Sequence, residues 1–190
     1  SIYAVPAPPS AGSGQAGKVV VDGKLDDWDL SGQILVYVIQ ATSEMQSSRL
    51  AVMYDDQAYY ISGVVRDASP MMNRHDPNVD PDRAWDADVC QIFISLDPKL
   101  GHPLKYSQFN KDEVDGTATL FLWYYTDRKE ACIAGYKAMM FSKPLTDKMP
   151  KNGVFPKGSF EGAYVKSEDG GGYTFEYRIP WATLGVAAPK

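Results

Sequence analysis

The chain of 190 residues has few residues of several chemically specialised kinds. It contains only two histidines, His75 and His102, which excludes a metal site built from several histidines. Acidic residues outnumber basic ones by 24 to 19, and the net charge of −5 argues against nonspecific nucleic-acid binding, which needs a basic surface. No apolar run approaches the roughly 20 residues of a membrane-spanning helix. The composition therefore argues against a nucleic-acid partner and against a membrane-spanning helix.

Recognisable catalytic motifs are also missing. Neither the Gly-x-Ser-x-Gly of serine hydrolases nor the His-Glu-x-x-His of zinc proteases occurs, so no motif indicates an enzyme. A Gly-x-Gly-x-x-Gly pattern lies at 12–17, but a dinucleotide site needs a strand before it and a helix after it. Here a Pro-rich segment precedes the pattern, and the predicted strand 19–21 follows. Cys90 and Cys132 are paired or free on this evidence, and they do not fix the compartment.

Aromatic residues make up 12% of the chain, and 16 glycines and 13 prolines accompany them. This balance favours an all-β protein with long loops. Residues 4–17 are small, Pro-rich and Gly-rich, and they predict a flexible tail or linker over 1–17 before a β domain over 18–190. Long loops are predicted at 68–87, 98–116 and 142–159, where such a fold often carries its binding residues.

Apolar and polar residues alternate in several segments, as expected for strands. Asp55–Gln57 separates two of these segments and predicts a hairpin turn. Strands separated by loops indicate an antiparallel β-sandwich. The predicted strands are 49–54, 58–67, 88–97, 117–126, 134–141, 160–166 and 173–181.

The segment 76–88 is the most acidic part of the sequence. Five aspartates and one arginine give it a net charge of −4, and such crowding calls for a neutralising partner. One interpretation is a Ca²⁺ site, because Ca²⁺ takes six to eight oxygen ligands. The other is a solvated loop of Asx-turns. Pro81 replaces the required glycine of an EF-hand loop, which excludes that motif. The candidate calcium ligands are Asp76, Asn78, Asp80, Asp82 and Asp86.

Trp85 lies within this acidic loop. An indole beside polar side chains can support a sugar ring, because its flat apolar face matches the C–H face of a pyranose. The alternative is a tryptophan that plugs the open end of a sandwich. The segment 117–126 raises a similar question, because both of its faces are apolar or aromatic. One face must be core, and the other is either covered by a loop or exposed for stacking.

Met71, Met72 and His75 suggest a different cofactor. Methionine and histidine serve as axial haem ligands, and without a Cys-x-x-Cys-His motif such a haem would be of the b type. The alternative is two methionines that pack within the loop and a histidine at the surface.

Four segments, at 21–28, 51–60, 85–93 and 173–185, together resemble family-9 carbohydrate-binding modules and the wider DOMON-like group of β-sandwiches. They read VDGKLDDW, AVMYDDQAYY, WDADVCQIF and YTFEYRIPWATLG. The resemblance implies an antiparallel β-sandwich of jelly-roll type that binds an oligo- or polysaccharide without catalysis. It further implies an accessory module of a secreted or periplasmic protein, extracellular or periplasmic in location, with calcium bracing its loops.

The resemblance also implies site residues. Trp85 matches the first of two tryptophans that clamp a sugar, and Gln91 stands where the family has a glutamate. Asp88, Gln91 and Arg74 are expected to hydrogen-bond the hydroxyl groups. The second tryptophan of the family belongs to strands after 185, so the domain is expected to be C-terminally incomplete, with an open sheet edge for a protein partner.

The DOMON-like fold hosts more than one function. A first alternative is a haem-b electron-transfer domain that uses Met71 or Met72 with His75 or a lysine. A second is a structural interaction domain in a larger assembly.

Overall fold

The computed structural model describes residues 4–8, 19–95, 116–137 and 143–189. Within these residues, nine strands form two sheets and the helices are short. The all-β fold class and the antiparallel pairing predicted from the sequence are confirmed, with one parallel pair in addition. No helix in these ranges has the length and apolar character needed to cross a bilayer.

The strands are β1 Val5–Pro6, β2 Ile34–Val36, β3 Ser47–Tyr54, β4 Ala58–Arg66, β5 Cys90–Ser95, β6 Thr117–Tyr125, β7 Glu130–Lys137, β8 Glu161–Lys166 and β9 Gly172–Pro180. Two 3₁₀ helices span Gln40–Thr42 and Pro81–Asp86, and an α-helix spans Trp181–Leu184. The chain divides into two compact units. The first unit is drawn from Ser1–Met71, Phe160–Trp181 and Ala187–Lys190, and the second from Met72–Ser159 and Ala182–Val186.

The sheet of the first unit has the strand order β1-β3-β4-β9-β8, and β2 also pairs with β3. The β3–β4 hairpin turns at Asp55, whose Oδ1 accepts hydrogen bonds from the backbone N–H groups of Gln57 at 2.8 Å and Ala58 at 2.7 Å. This confirms the hairpin predicted at Asp55–Gln57. β9 buries Phe175, Tyr177 and Ile179 on one face, as its alternating sequence predicts.

Glu176 lies on the opposite face of β9 and is fully buried. Its Oε1 accepts the backbone N–H groups of Asp22 at 2.6 Å and Gly23 at 2.5 Å, and its Oε2 accepts the indole N–H of Trp28 at 2.8 Å. Burial raises the pKa of Glu176, while these three hydrogen bonds oppose that shift. The carboxylate thus ties the chain at 22–28 to strand β9.

The sheet of the second unit has the order β5-β6-β7, with β6 in the centre. Leu120 and Leu122 are buried on one face of β6, and Phe121 and Trp123 are buried on the other. Ala84 of the Pro81–Asp86 helix belongs to the same core cluster as Phe121 and Trp123. The second face of β6 is therefore covered by the Pro81–Asp86 helix. It is not an exposed surface on which a ligand could stack.

Cys90 and Cys132 form no disulfide. Cys90 is in register with Leu122 on one face of the sheet, and Cys132 is in register with Trp123 on the other. The intervening strand and the opposite directions of the side chains exclude a disulfide in this arrangement. Burial raises the pKa of each thiol to about 12.

The structure departs from the predicted elements most clearly in four places. Strand β7 begins at Glu130, four residues before the predicted strand 134–141. Val5–Pro6, within the predicted tail, pairs in parallel with Met53 and Tyr54. Residues 19–21, predicted as a strand, form none, and Val19 is buried in the core cluster that contains Trp28. Strand β2 was not predicted. The predicted strand ends at 96–97 and 138–141, and the loop 98–116 apart from Gly116, lie outside the described residues.

Candidate functional site

Asn73 organises the loop that contains Trp85. Its side chain is buried, and its Nδ2 donates to the backbone carbonyls of Ala84 and Asp88, each at 3.0 Å. Its Oδ1 accepts the backbone N–H of His75 at 3.0 Å. One amide side chain therefore joins the start of the loop to the segment on either side of Trp85.

Side chains of β6 and of residue 152 donate hydrogen bonds to the same loop. The indole N–H of Trp123 donates to the carbonyl of His75 at 3.1 Å, and the hydroxyl of Tyr125 donates to Oδ2 of Asp76 at 3.2 Å. Asn152 donates to the carbonyl of Pro77 at 3.1 Å. The loop is thus fixed by bonds to its backbone, which positions the side chains that it carries.

The Pro81–Asp86 helix explains why Trp85 is exposed. In a 3₁₀ helix, side chains three residues apart lie on the same side. Pro81 and Ala84 are separated by three residues and are both buried, so this side faces the core. Trp85 follows Ala84 by one residue and projects away from it, and 55% of its surface is exposed. The indole is therefore accessible at the surface of this loop, and the stacking of a sugar on it stays a prediction.

The other tryptophans of the chain have structural roles. Trp28 and Trp123 are buried. The indole N–H groups of Trp28, Trp123 and Trp181 each donate to an acceptor within their own compact unit. Of the four tryptophans, Trp85 has an exposed side chain.

His75 lies between two of the predicted calcium ligands. Its Nδ1 contacts Oδ2 of Asp80 and its Nε2 contacts Oδ1 of Asp86. Partial burial lowers the pKa of His75, but the hydrogen bonds and charges of the two aspartates outweigh that effect and raise it. Arg83 donates to Oδ2 of Asp86 at 2.9 Å, and this bond, followed by that of His75, holds the pKa of Asp86 below its ordinary value.

The remaining predicted calcium ligands do not converge. Oδ1 of Asp76 accepts the backbone N–H of Asn78 at 2.8 Å, and Asp82 is exposed. Among the described residues, no group of three or more histidine, cysteine or acidic side chains is placed to hold a metal ion. The aspartate side chains in this arrangement do not fit a calcium site, and calcium stays a prediction from the sequence.

The haem interpretation meets a similar obstacle. Axial ligation needs an imidazole nitrogen that is available to iron. Both ring nitrogens of His75 contact carboxylates, and Met72 is exposed at the surface next to Met71. These residues do not fit a haem in the arrangement described.

The three predicted partners of Trp85 have different surroundings. Arg74 is exposed and forms a two-point ion pair with Asp127, with Nε–Oδ1 at 2.9 Å and Nη2–Oδ2 at 3.4 Å. Asp88 uses Oδ2 to accept the backbone N–H of Met72 at 2.7 Å, so it anchors the loop. Gln91 is exposed on β5 and in register with Phe121, on the face that Ala84 covers. Gln91 therefore points to the side of the sheet on which the helix of Trp85 packs.

Three functional candidates were missed in the sequence. Asn73 carries no signal in the sequence, because its role depends on carbonyls that only the fold brings near. Arg83 was counted only as a charge within the acidic loop. Asp127 follows a predicted strand, and its position beside Arg74 results from the pairing of Asn73 with Tyr125.

Comparison with known proteins gives a similarity in structure. No protein-family model and no curated protein sequence matches the chain. The chain is similar to a family-9 carbohydrate-binding module from Caldicellulosiruptor kristjanssonii in complex with glucose, with 18% identity, a TM-score of 0.46, and coverage of 92% of this chain and 68% of that one. A structure of a family-9 carbohydrate-binding module from the same organism in complex with cellotriose gives 17% identity, a TM-score of 0.45, and coverage of 86% of this chain and 64% of that one. Both belong to the family that the sequence motifs resemble.

Proposed function

We propose that this chain is a non-catalytic carbohydrate-binding module of a secreted or periplasmic protein, and that a saccharide ring stacks on Trp85. The observation that supports the proposal is the solvent exposure of this indole. It is 55% exposed on a short helix whose other side is buried, while the other three tryptophans use their N–H groups within the protein.

The chemistry of the surrounding loop suits a sugar. Stacking removes the apolar C–H face of a pyranose and the face of the indole from water together. The hydroxyl groups at the ring edge then need donors and acceptors, which carboxylates and guanidinium groups supply. Arg74 with Asp127, Arg83 with Asp86, and Gln91 are the exposed or partly exposed groups of this unit that offer them.

The anchored backbone supports binding as well. A saccharide that lies on a mobile loop must order that loop, and the entropy lost reduces the affinity. Asn73 and the side chain of Trp123 already fix the carbonyls on both sides of the site. The backbone on both sides of Trp85 is therefore held in place before any ligand binds.

Isothermal titration calorimetry with glucose and cellotriose, the sugars bound in the two similar structures, tests the proposal. Trp85→Ala is expected to weaken binding at least tenfold, or about 1.4 kcal/mol, because it removes the stacking surface. Trp85→Phe is expected to lose less, because the phenyl ring keeps part of that surface.

Val79→Ala is the matched control, since Val79 is an exposed apolar residue of the same loop. It should bind as the wild type does. All variants should keep the wild-type melting temperature, because the side chains replaced are exposed. Wild-type affinity in a folded Trp85→Ala variant, or no retention of the wild type on an array of glycans, would contradict the proposal.

A further inference from the structure

The segment Ile34–Ile39, called here the β2 segment, exposes apolar side chains at the surface of the first unit. It reads Ile-Leu-Val-Tyr-Val-Ile, and every residue from Leu35 to Ile39 is exposed, with Val38 at 98%. Scattered exposed apolar residues are ordinary, but a continuous run marks a contact surface. No charged residue occurs from 30 to 43, so nothing in the sequence around the segment keeps another chain away.

Strand β2 lies at an edge of its sheet. It pairs with β3 through Ile34, Leu35 and Val36, and in the topology of the described residues no further strand is joined to it. An edge strand presents backbone N–H and C=O groups that can pair with another strand, and proteins usually protect such edges with charge or proline. The β2 segment contains neither, and its residues have a high preference for β structure.

We propose that two copies of this chain pair antiparallel through their β2 segments, about a two-fold axis between Val36 and Tyr37. The segment is nearly the same read in either direction. Pairing about this axis sets Ile34 opposite Ile39, Leu35 opposite Val38, and Val36 opposite Tyr37 of the other copy. Each position then faces an aliphatic or aromatic partner, and aromatic and β-branched residues are favourable neighbours across strands.

The β2 segment itself carries no charge that would oppose a second copy. Two molecules of net charge −5 repel each other over most of their surfaces. The uncharged stretch from 30 to 43 adds no like charge of its own at close contact, and the charged residue paired beside it is the cationic Arg49 of β3, in register with Leu35. A two-fold contact also uses the same surface twice, as a self-complementary segment requires. Ile39 is already extended, with φ −126° and ψ 123°, whereas the chain bends at Val38, and pairing over the whole segment requires this bend to straighten.

Analytical ultracentrifugation from micromolar to near-millimolar concentration tests the proposal. The wild type is expected to show a monomer–dimer equilibrium. Val38→Lys is expected to raise the dimer dissociation constant at least tenfold, because it places a charge between the paired strands. It should not lower the melting temperature of the monomer, because the side chain of Val38 is exposed. Val79→Lys, which changes an exposed valine of the second unit, is the matched control and should leave the equilibrium unchanged.

A spin label on Val38→Cys tests the register. Residue 38 lies three positions from its two-fold mate along the neighbouring strand, which places the two Cα atoms roughly 11 Å apart and predicts dipolar broadening. The thiols of Cys90 and Cys132, with pKa values of about 12, should react little with the label. A wild type that stays monomeric, or a dimer that Val38→Lys does not weaken, would overturn the proposal. Dimer formation without broadening would overturn the register and place the contact elsewhere.

Discussion

The indole N–H of Trp28 donates a 2.8 Å hydrogen bond to the carboxylate of Glu176, and both residues are buried. The two positions are 148 residues apart in sequence. The same carboxylate accepts the backbone N–H groups of Asp22 and Gly23. Two of the four segments that resemble family-9 carbohydrate-binding modules therefore meet in one hydrogen-bond network, which gives them a structural role apart from any ligand.

A double-mutant cycle on Trp28 and Glu176 tests this network. Glu176→Gln is expected to destabilise the fold by about 1–3 kcal/mol, because satisfying Asp22 and Gly23 turns the new amide N–H₂ toward the indole N–H. Trp28→Phe removes that indole donor. The double variant should be at least about 0.5 kcal/mol more stable than the sum of the single changes predicts. Additive losses in urea unfolding would contradict the network.

The pair of aspartates around His75 predicts a pH dependence of stability. The pKa of His75 is raised in the folded state, so its ion pairs contribute fully below the unfolded pKa of about 6.5 and are lost as the pH rises through the folded value. The advantage of the wild type over His75→Gln in free energy of unfolding should therefore shrink as the pH rises from the unfolded pKa of about 6.5 through the raised folded pKa of His75. An advantage that is constant or grows over this range would refute the ion pairs.

The acidic loop predicts a result for chelation. His75 and Arg83 contact Asp80 and Asp86, so the negative charge of the loop has partners within the protein. Treatment with EDTA should leave the melting temperature unchanged, as measured by differential scanning calorimetry. A decrease on chelation that added Ca²⁺ reverses would instead support the calcium site predicted from the sequence.

A variant of Arg74 tests saccharide binding separately from the stability of the fold. Its ion pair with Asp127 is exposed, and exposed pairs contribute about 0–1 kcal/mol to folding. Arg74→Gln should therefore change the free energy of unfolding little. If the guanidinium group donates to a saccharide, the same variant should lose about 1.5 kcal/mol or more of binding free energy. Unchanged affinity for a saccharide that the wild type binds would remove Arg74 from the site.

The sequence predicts the long strands well, because alternation over many residues leaves little ambiguity. The predicted strand 173–181 differs from β9 by one residue at each end, and 117–126 differs from β6 by one residue. β1 and β2 have two and three residues, too few to show a period, and they depend on pairing with β3. The valines at 19–21 have strand propensity, but Val19 is buried against the core cluster of Trp28 instead.

The site could be predicted only in part. The acidic loop and its tryptophan are visible in the sequence, but the exposure of Trp85 depends on the spacing of Pro81 and Ala84 within a 3₁₀ helix. Charge spacing also does not determine which donor each carboxylate meets. In the structure His75 bridges Asp80 and Asp86, two of the residues assigned to calcium from their spacing.

The indole resonances of the four tryptophans test the central claim most directly. In a ¹⁵N–¹H correlation spectrum, Trp85→Phe assigns the signal of Trp85 by its disappearance. Titration with cellotriose should shift this signal progressively, while the signals of Trp28, Trp123 and Trp181, whose N–H groups are bonded within the protein, should move little. A Trp85 signal that stays in place while the saccharide binds, as followed by other resonances, would contradict the account.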